Sequence, residues 1–147
     1  MRQSGPGKGI AVSAEHCIRV LIVDDQQLAR QGLSALLAIW PEVQVVGEAG
    51  NGREAVLLTE TVQPDVVLMD VRMPLMDGIA ATWFIKHQWP AIRVIVLTLY
   101  GNHRNDALRA GADAFLIKGC PTEELVDAIF PRSVSRLSEP SCERRSG

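Results

Sequence analysis

The chain has 147 residues, of which 47% are hydrophobic and 22% charged, with a formal net charge of −2. That length suits one domain with a sizeable core. With no global basic excess, nothing in the composition suggests a charged surface that grips nucleic acid or an anionic membrane. No apolar run approaches the roughly 18 residues of a membrane helix, and Met1–Cys17 lacks the apolar centre of a secretory signal. A cytoplasmic location is therefore expected.

The N-terminal stretch through Glu15 carries Gly5, Pro6, Gly7 and Gly9 and little apolar content, and the stretch from Pro131 is rich in Ser, Arg and Pro. Neither can bury enough surface to offset the entropy of ordering it. Residues 1–16 and 132–147 are thus expected to be flexible extensions flanking one domain over 17–131; whether they are native stays open. Gly5-Pro6-Gly7-Lys8-Gly9 does not fit a phosphate loop, and no strand precedes it.

Ile18–Val23 is a short β-branched run suited to a strand buried on both faces. Leu28, Leu33, Leu36, Leu37 and Trp40 then recur at helical spacing until Pro41. Val43–Glu48 predicts a second strand, and Asn51 caps a helix that runs through Val62. Val66–Met69 is a third strand, wholly apolar. A turn-rich loop follows, with Asp77–Gly78 as turn and helix start, then a helix over Ile79–Gln88 closed by Trp89–Pro90. Arg93–Leu97 predicts a fourth strand and Asn105–Arg109 a brief helix, with Gly111 suited to a left-handed cap. Ala114–Ile117 is the fifth strand, and Pro121 opens a last helix with Glu123 and Glu124 in its first turn. Trp40, Trp83 and Trp89 are expected to pack or to sit at helix ends. Cys17, Cys120 and Cys142 are odd in number and widely spaced, and His16, His87 and His103 complete no metal-ligand pattern, so unpaired thiols are expected.

Strand and helix alternate five times, which predicts an α/β fold: a doubly wound five-stranded parallel sheet with helices on both faces. Ligands in such sheets bind beyond the C-terminal ends of the strands. The polar residues that follow the apolar runs are Asp24 and Asp25, Asp70, Thr98 and Lys118. Carboxylates about 4 Å apart repel by on the order of 4 kcal/mol at an effective dielectric near 20, so a cluster of three calls for a cation. All-oxygen ligands suit Mg²⁺.

These residues, in this order, resemble the receiver domains of two-component response regulators. The matching positions are Asp24–Asp25, Asp70 within Met69-Asp70-Val71-Arg72-Met73-Pro74, Thr98 and Lys118. The run Ala107–Lys118 looks like the version in regulators with a LuxR-type DNA-binding domain, and the likeness spans about Ile18 to Phe130. It implies a flavodoxin-like fold and a signalling switch rather than an enzyme acting on an outside substrate. It implies that Asp70 accepts a phosphoryl group from a histidine kinase. Mg²⁺ would be bound by Asp25, Asp70 and the backbone carbonyl of Arg72, with Asp24 assisting. Lys118 would neutralise phosphoryl charge, and Thr98 would bond the attached group, with Phe115 following it to reshape the output surface. Arg72 and Tyr100 stand where this family tunes water access, and a bulky Tyr100 implies slow dephosphorylation. A homodimer and a DNA-binding output domain outside this chain are compatible partners, since nothing after Phe130 resembles a helix-turn-helix; direct nucleic-acid or membrane contact is not expected.

Two departures stand out. The Thr98–Lys118 segment is slightly short, predicting a truncated or irregular fourth helix, and Gly119 replaces a frequent proline, so no cis bond is expected there. The shortened helix keeps open an alternative, a phosphorylation-independent interaction module of receiver fold. A flavin site is disfavoured because the acidic first turn would repel a phosphate. An aspartate-nucleophile phosphatase is disfavoured because Arg72 stands where its second aspartate would.

Overall fold

The computed structural model describes residues 17–130. The expected flexible extensions, the Gly5–Gly9 stretch, His16 and Cys142 lie outside the described residues.

Five strands form one sheet: β1 (Ile18–Val23), β2 (Val43–Ala49), β3 (Val66–Met69), β4 (Arg93–Thr98) and β5 (Ala114–Ile117). Their order is β2-β1-β3-β4-β5, every pairing is parallel, and helices join them. The three central strands are nearly continuous apolar runs because both of their faces are covered. Val20 and Ile22 point into one core cluster, with Leu37, Leu68, Ile95 and Ile129, while Leu21 and Val23 point into the other, with Val67, Met69, Ile85 and Val94. This two-sided burial follows from the period-2 alternation of strand side chains.

The helices are α1 (Gln27–Leu37), α2 (Gly52–Val62), α3 (Gly78–Gln88), α4 (Arg104–Arg109) and α5 (Thr122–Ile129). Asn51 caps α2 by accepting the Glu54 N–H, and Asp77 caps α3 by accepting that of Ala80. A 3₁₀ turn over Gly101–His103 leads into α4, which has six residues, so the short and irregular fourth helix is as predicted. Gly111 takes φ +103° just past it, and no cis peptide occurs among the described residues.

Several boundaries and environments differ from expectation. Helix α1 ends at Leu37, short of Trp40, and Leu28 is 82% exposed. Nine residues at about 3.6 per turn put Leu28 half a turn from the buried Leu37. Strand β2 continues to Ala49, strand β4 includes Thr98, and Pro121 flanks α5 instead of opening it. Trp83 is half exposed and stacks on His87, one helical turn along, rather than packing inward. Cys120 is a free thiol, but Cys17 is disulfide-bonded, which corrects the expectation of an unpaired thiol there.

Candidate phosphoacceptor site at the strand ends

Register brings the polar residues together. Val23 pairs with Met69, so the next residues, Asp24 and Asp70, emerge side by side at the C-terminal edge of the sheet. Thr98 pairs with Ile117, so Lys118 leaves β5 beside the end of β4. Backbone bonds hold these exits: Asp24 N–H donates to the Ala49 carbonyl, Asp70 N–H to Val23 and Lys118 N–H to Thr98.

The side chains of Asp24, Asp70 and Lys118 then converge. Lys118 Nζ lies 2.5 Å from Asp24 Oδ2 and 3.3 Å from Asp70 Oδ2, bridging the two carboxylates. Their outer oxygens accept backbone N–H groups, Asp24 Oδ1 from Gln26 at 2.9 Å and Asp70 Oδ1 from Val71 at 2.8 Å. Asp24 and Asp70 are buried; Asp25 is exposed but close enough that carboxylate oxygens of all three lie within 4.8 Å of one another. One ammonium faces three carboxylates, and the arrangement keeps a negative excess.

Burial pushes the Asp70 carboxyl above its ordinary value; the Lys118 charge opposes that shift and the Asp24 charge adds to it. Burial alone would pull the Lys118 ammonium down. The hydrogen bond to Asp24 and the charges of Asp70 and Asp24 outweigh it and raise the net value.

Thr98 is 1% exposed at the end of β4, one register step from this group. Phe115 sits off the cluster on β5, half-buried against the core, with the Arg104 guanidinium 5.9 Å from its ring centroid. Tyr100 is half exposed beyond β4, and the Arg72 guanidinium lies over its ring at 5.5 Å. Arg72 and Tyr100 thus touch each other.

Two further residues shape this edge, and neither stands out in the sequence. Gly78 packs so closely on β3 that an added Cβ would fall 1.7 Å from the Asp70 carbonyl oxygen, while its N–H donates to Val71. Arg30 on α1 reaches back to the Asp24 carbonyl. Asp77–Gly78 was legible only as a turn and helix start, and Arg30 only as one more polar position on a helix.

At the C-terminal edge of this parallel five-stranded sheet, a lysine that follows the edge strand bridges two central carboxylates. The chain belongs to the response regulator receiver domain family, whose model matches residues 20–130. It is 38% identical over 121 residues to the response regulator protein VraR of Staphylococcus aureus, covering 81% of this chain and 57% of VraR. It is 36% identical over 117 residues to the transcriptional regulatory protein DegU of Brevibacillus brevis, covering 78% and 50%. Among solved structures it resembles a two-component response regulator of the LuxR family from Aurantimonas sp. SI85-9A1, at TM-score 0.73 and 34% identity over 77% of this chain and 82% of that one. The response regulator domain of Thermotoga maritima CheB matches at TM-score 0.71 and 35% identity, covering 77% and 93%. The chain spans about half the length of the curated relatives it matches. No helix among the described residues is long and apolar enough to cross a membrane.

Proposed function

We propose that this receiver domain, over residues 17–131, takes a phosphoryl group on Asp70 from a histidine kinase and thereby switches its surface. The observation that carries the reading is the convergence of Asp24, Asp25 and Asp70 at the strand ends with Lys118 between two of them. An Asp70 carboxylate oxygen forms the new bond to phosphorus as the donor's bond to phosphorus breaks, and the leaving group departs on the opposite side. The Lys118 ammonium pairs with the phosphoryl oxygens once charge gathers there. Thr98, buried at the end of the neighbouring strand, donates its hydroxyl to the attached group.

An all-oxygen set with a negative excess fits Mg²⁺. Asp25, Asp70 and the Arg72 carbonyl would hold the ion directly and Asp24 would assist. When bound, the ion neutralises charge on the phosphoryl oxygens. Beyond this self-modification the chain performs no catalysis. Arg72 over Tyr100 screens the approach of water, so dephosphorylation is slow. Phe115 follows Thr98 in the switch. Phosphoryl transfer from a kinase places the chain in the cytoplasm, with an output domain of the LuxR type as its natural continuation.

A second reading, an interaction module that works without phosphorylation, draws on the exposed apolar surface of Leu99, Tyr100, Leu108 and Ile117 around the short α4. Incubation with Mg²⁺ and acetyl phosphate separates the two. Intact-protein mass spectrometry should find one added phosphoryl group on wild type and none on Asp70→Ala. A folded wild type that binds Mg²⁺ yet gains no adduct would leave the second reading standing.

A further inference from the structure

Asp25 is the least supported member of the acidic group. It is exposed, and among the described residues no hydrogen bond or ion pair holds its carboxylate. With no side-chain partner, the region that carboxylate can reach is limited by the backbone it hangs from, chiefly the peptide joining Asp24 to Asp25.

That peptide is gripped from outside the turn. Arg30 Nη1 donates to the Asp24 carbonyl at 2.6 Å, and Arg30 Nε donates to Glu48 Oε1 at 3.1 Å. The Arg30 side chain is only 18% exposed. Glu48 lies near the end of β2, the Asp24 carbonyl just past β1, and Arg30 in the second turn of α1, where its own N–H bonds Gln26. A single guanidinium thus ties together the three segments that surround the acidic turn. A planar fork is suited to two acceptors in different directions, which a compact ammonium serves less well.

We infer that Arg30 is a positioning residue for the metal site: it fixes the Asp24–Asp25 peptide plane, and through it the Asp25 carboxylate, with Glu48 holding the guanidinium in place. Arg30 touches neither the ion nor the phosphoryl group. The inference rests on the Mg²⁺ site proposed above, and groups that orient metal ligands typically change affinity by roughly 10- to 100-fold when removed.

The test needs no phosphodonor. Mg²⁺ is titrated into wild type, Arg30→Ala, Arg30→Lys and Glu48→Ala, and its midpoint is read from the rise in Tm and from the amide resonance of Asp25. The expected result is a midpoint weakened about 10-fold in Arg30→Ala. Arg30→Lys should recover only part of it, and Glu48→Ala should shift it in the same direction by less. A merely structural role would lower the metal-free Tm and leave every midpoint in place, which overturns the inference while the wild-type response keeps the proposed function intact. A wild type that ignores Mg²⁺ would instead sink the metal site, and this inference with it. Should Arg30→Ala not fold, the Arg30→Lys and Glu48→Ala midpoints decide.

Discussion

The two sides of the sheet's C-terminal edge are built differently. On the β1–β3 side, Asp24 and Asp70 are buried and bonded to backbone N–H groups and to Lys118, and Gly78 is pressed against the Asp70 carbonyl. Beyond β4 the chain turns through a 3₁₀ segment and a six-residue helix, leaving Leu99, Tyr100, Leu108 and Ile117 exposed. Chemistry that depends on fixed distances sits where central strands and short-range bonds restrict the backbone. The surface able to change is where few interactions oppose a change. Thr98, 1% exposed at the end of β4, lies where the two regions meet.

The sharpest way to break the rigid side is Gly78→Ala, because its Cβ has no room beside the Asp70 carbonyl. It should destabilise by about 3 kcal/mol, read from the denaturant midpoint, and abolish Mg²⁺ binding. Lys118→Met comes next. Without its charge the Asp70 carboxyl should rise further, since Lys118 is what opposes the effect of burial. A carboxyl raised in the folded state contributes stability that is present below its unfolded value of 3.8 and lost as pH climbs through the folded value. Lys118, also raised, contributes stability below 10.5 that is lost as pH rises through its folded value. In metal-free buffer the variant should therefore differ little from wild type in acid and fall behind it toward neutral pH, as urea unfolding at a series of pH values would record.

Asp25→Ala should have a smaller effect, of opposite sign. Metal-free, it relieves repulsion and raises Tm slightly; with Mg²⁺ the wild type should recover the difference by binding. On the exposed side, Ile117→Ser should change stability by no more than about 0.5 kcal/mol. A large loss there would mean that this surface is as tightly built as the acidic edge.

Much of the rigid side was legible in the sequence for one reason. A strand covered on both faces must be apolar throughout, so the first polar residue after it marks the sheet edge, and Asp24, Asp70 and Lys118 could be placed without coordinates. The register that brings them together depends on strand pairing, which apolar runs imply only through the alternation of strand and helix. Arg30 and Gly78 were not legible because their contacts at this site are backbone carbonyls six and eight residues away, those of Asp24 and Asp70. Loop conformation creates such contacts, and residue type does not announce them. Leu28 and Trp83 failed for another reason: apolar spacing shows that a helix forms but not which apolar positions turn to the sheet. The disulfide at Cys17 carried no spacing signal at all.

On the proposed function, Asp70 alone carries the phosphoryl group. Borohydride reduces an aspartyl phosphate to homoserine, so acetyl phosphate and Mg²⁺ followed by borohydride and peptide mass spectrometry would place the modification on a residue. Homoserine at position 70, absent when Mg²⁺ is chelated beforehand, is the predicted result. Homoserine at Asp24 or Asp25, or none on a folded protein that binds Mg²⁺, would contradict it.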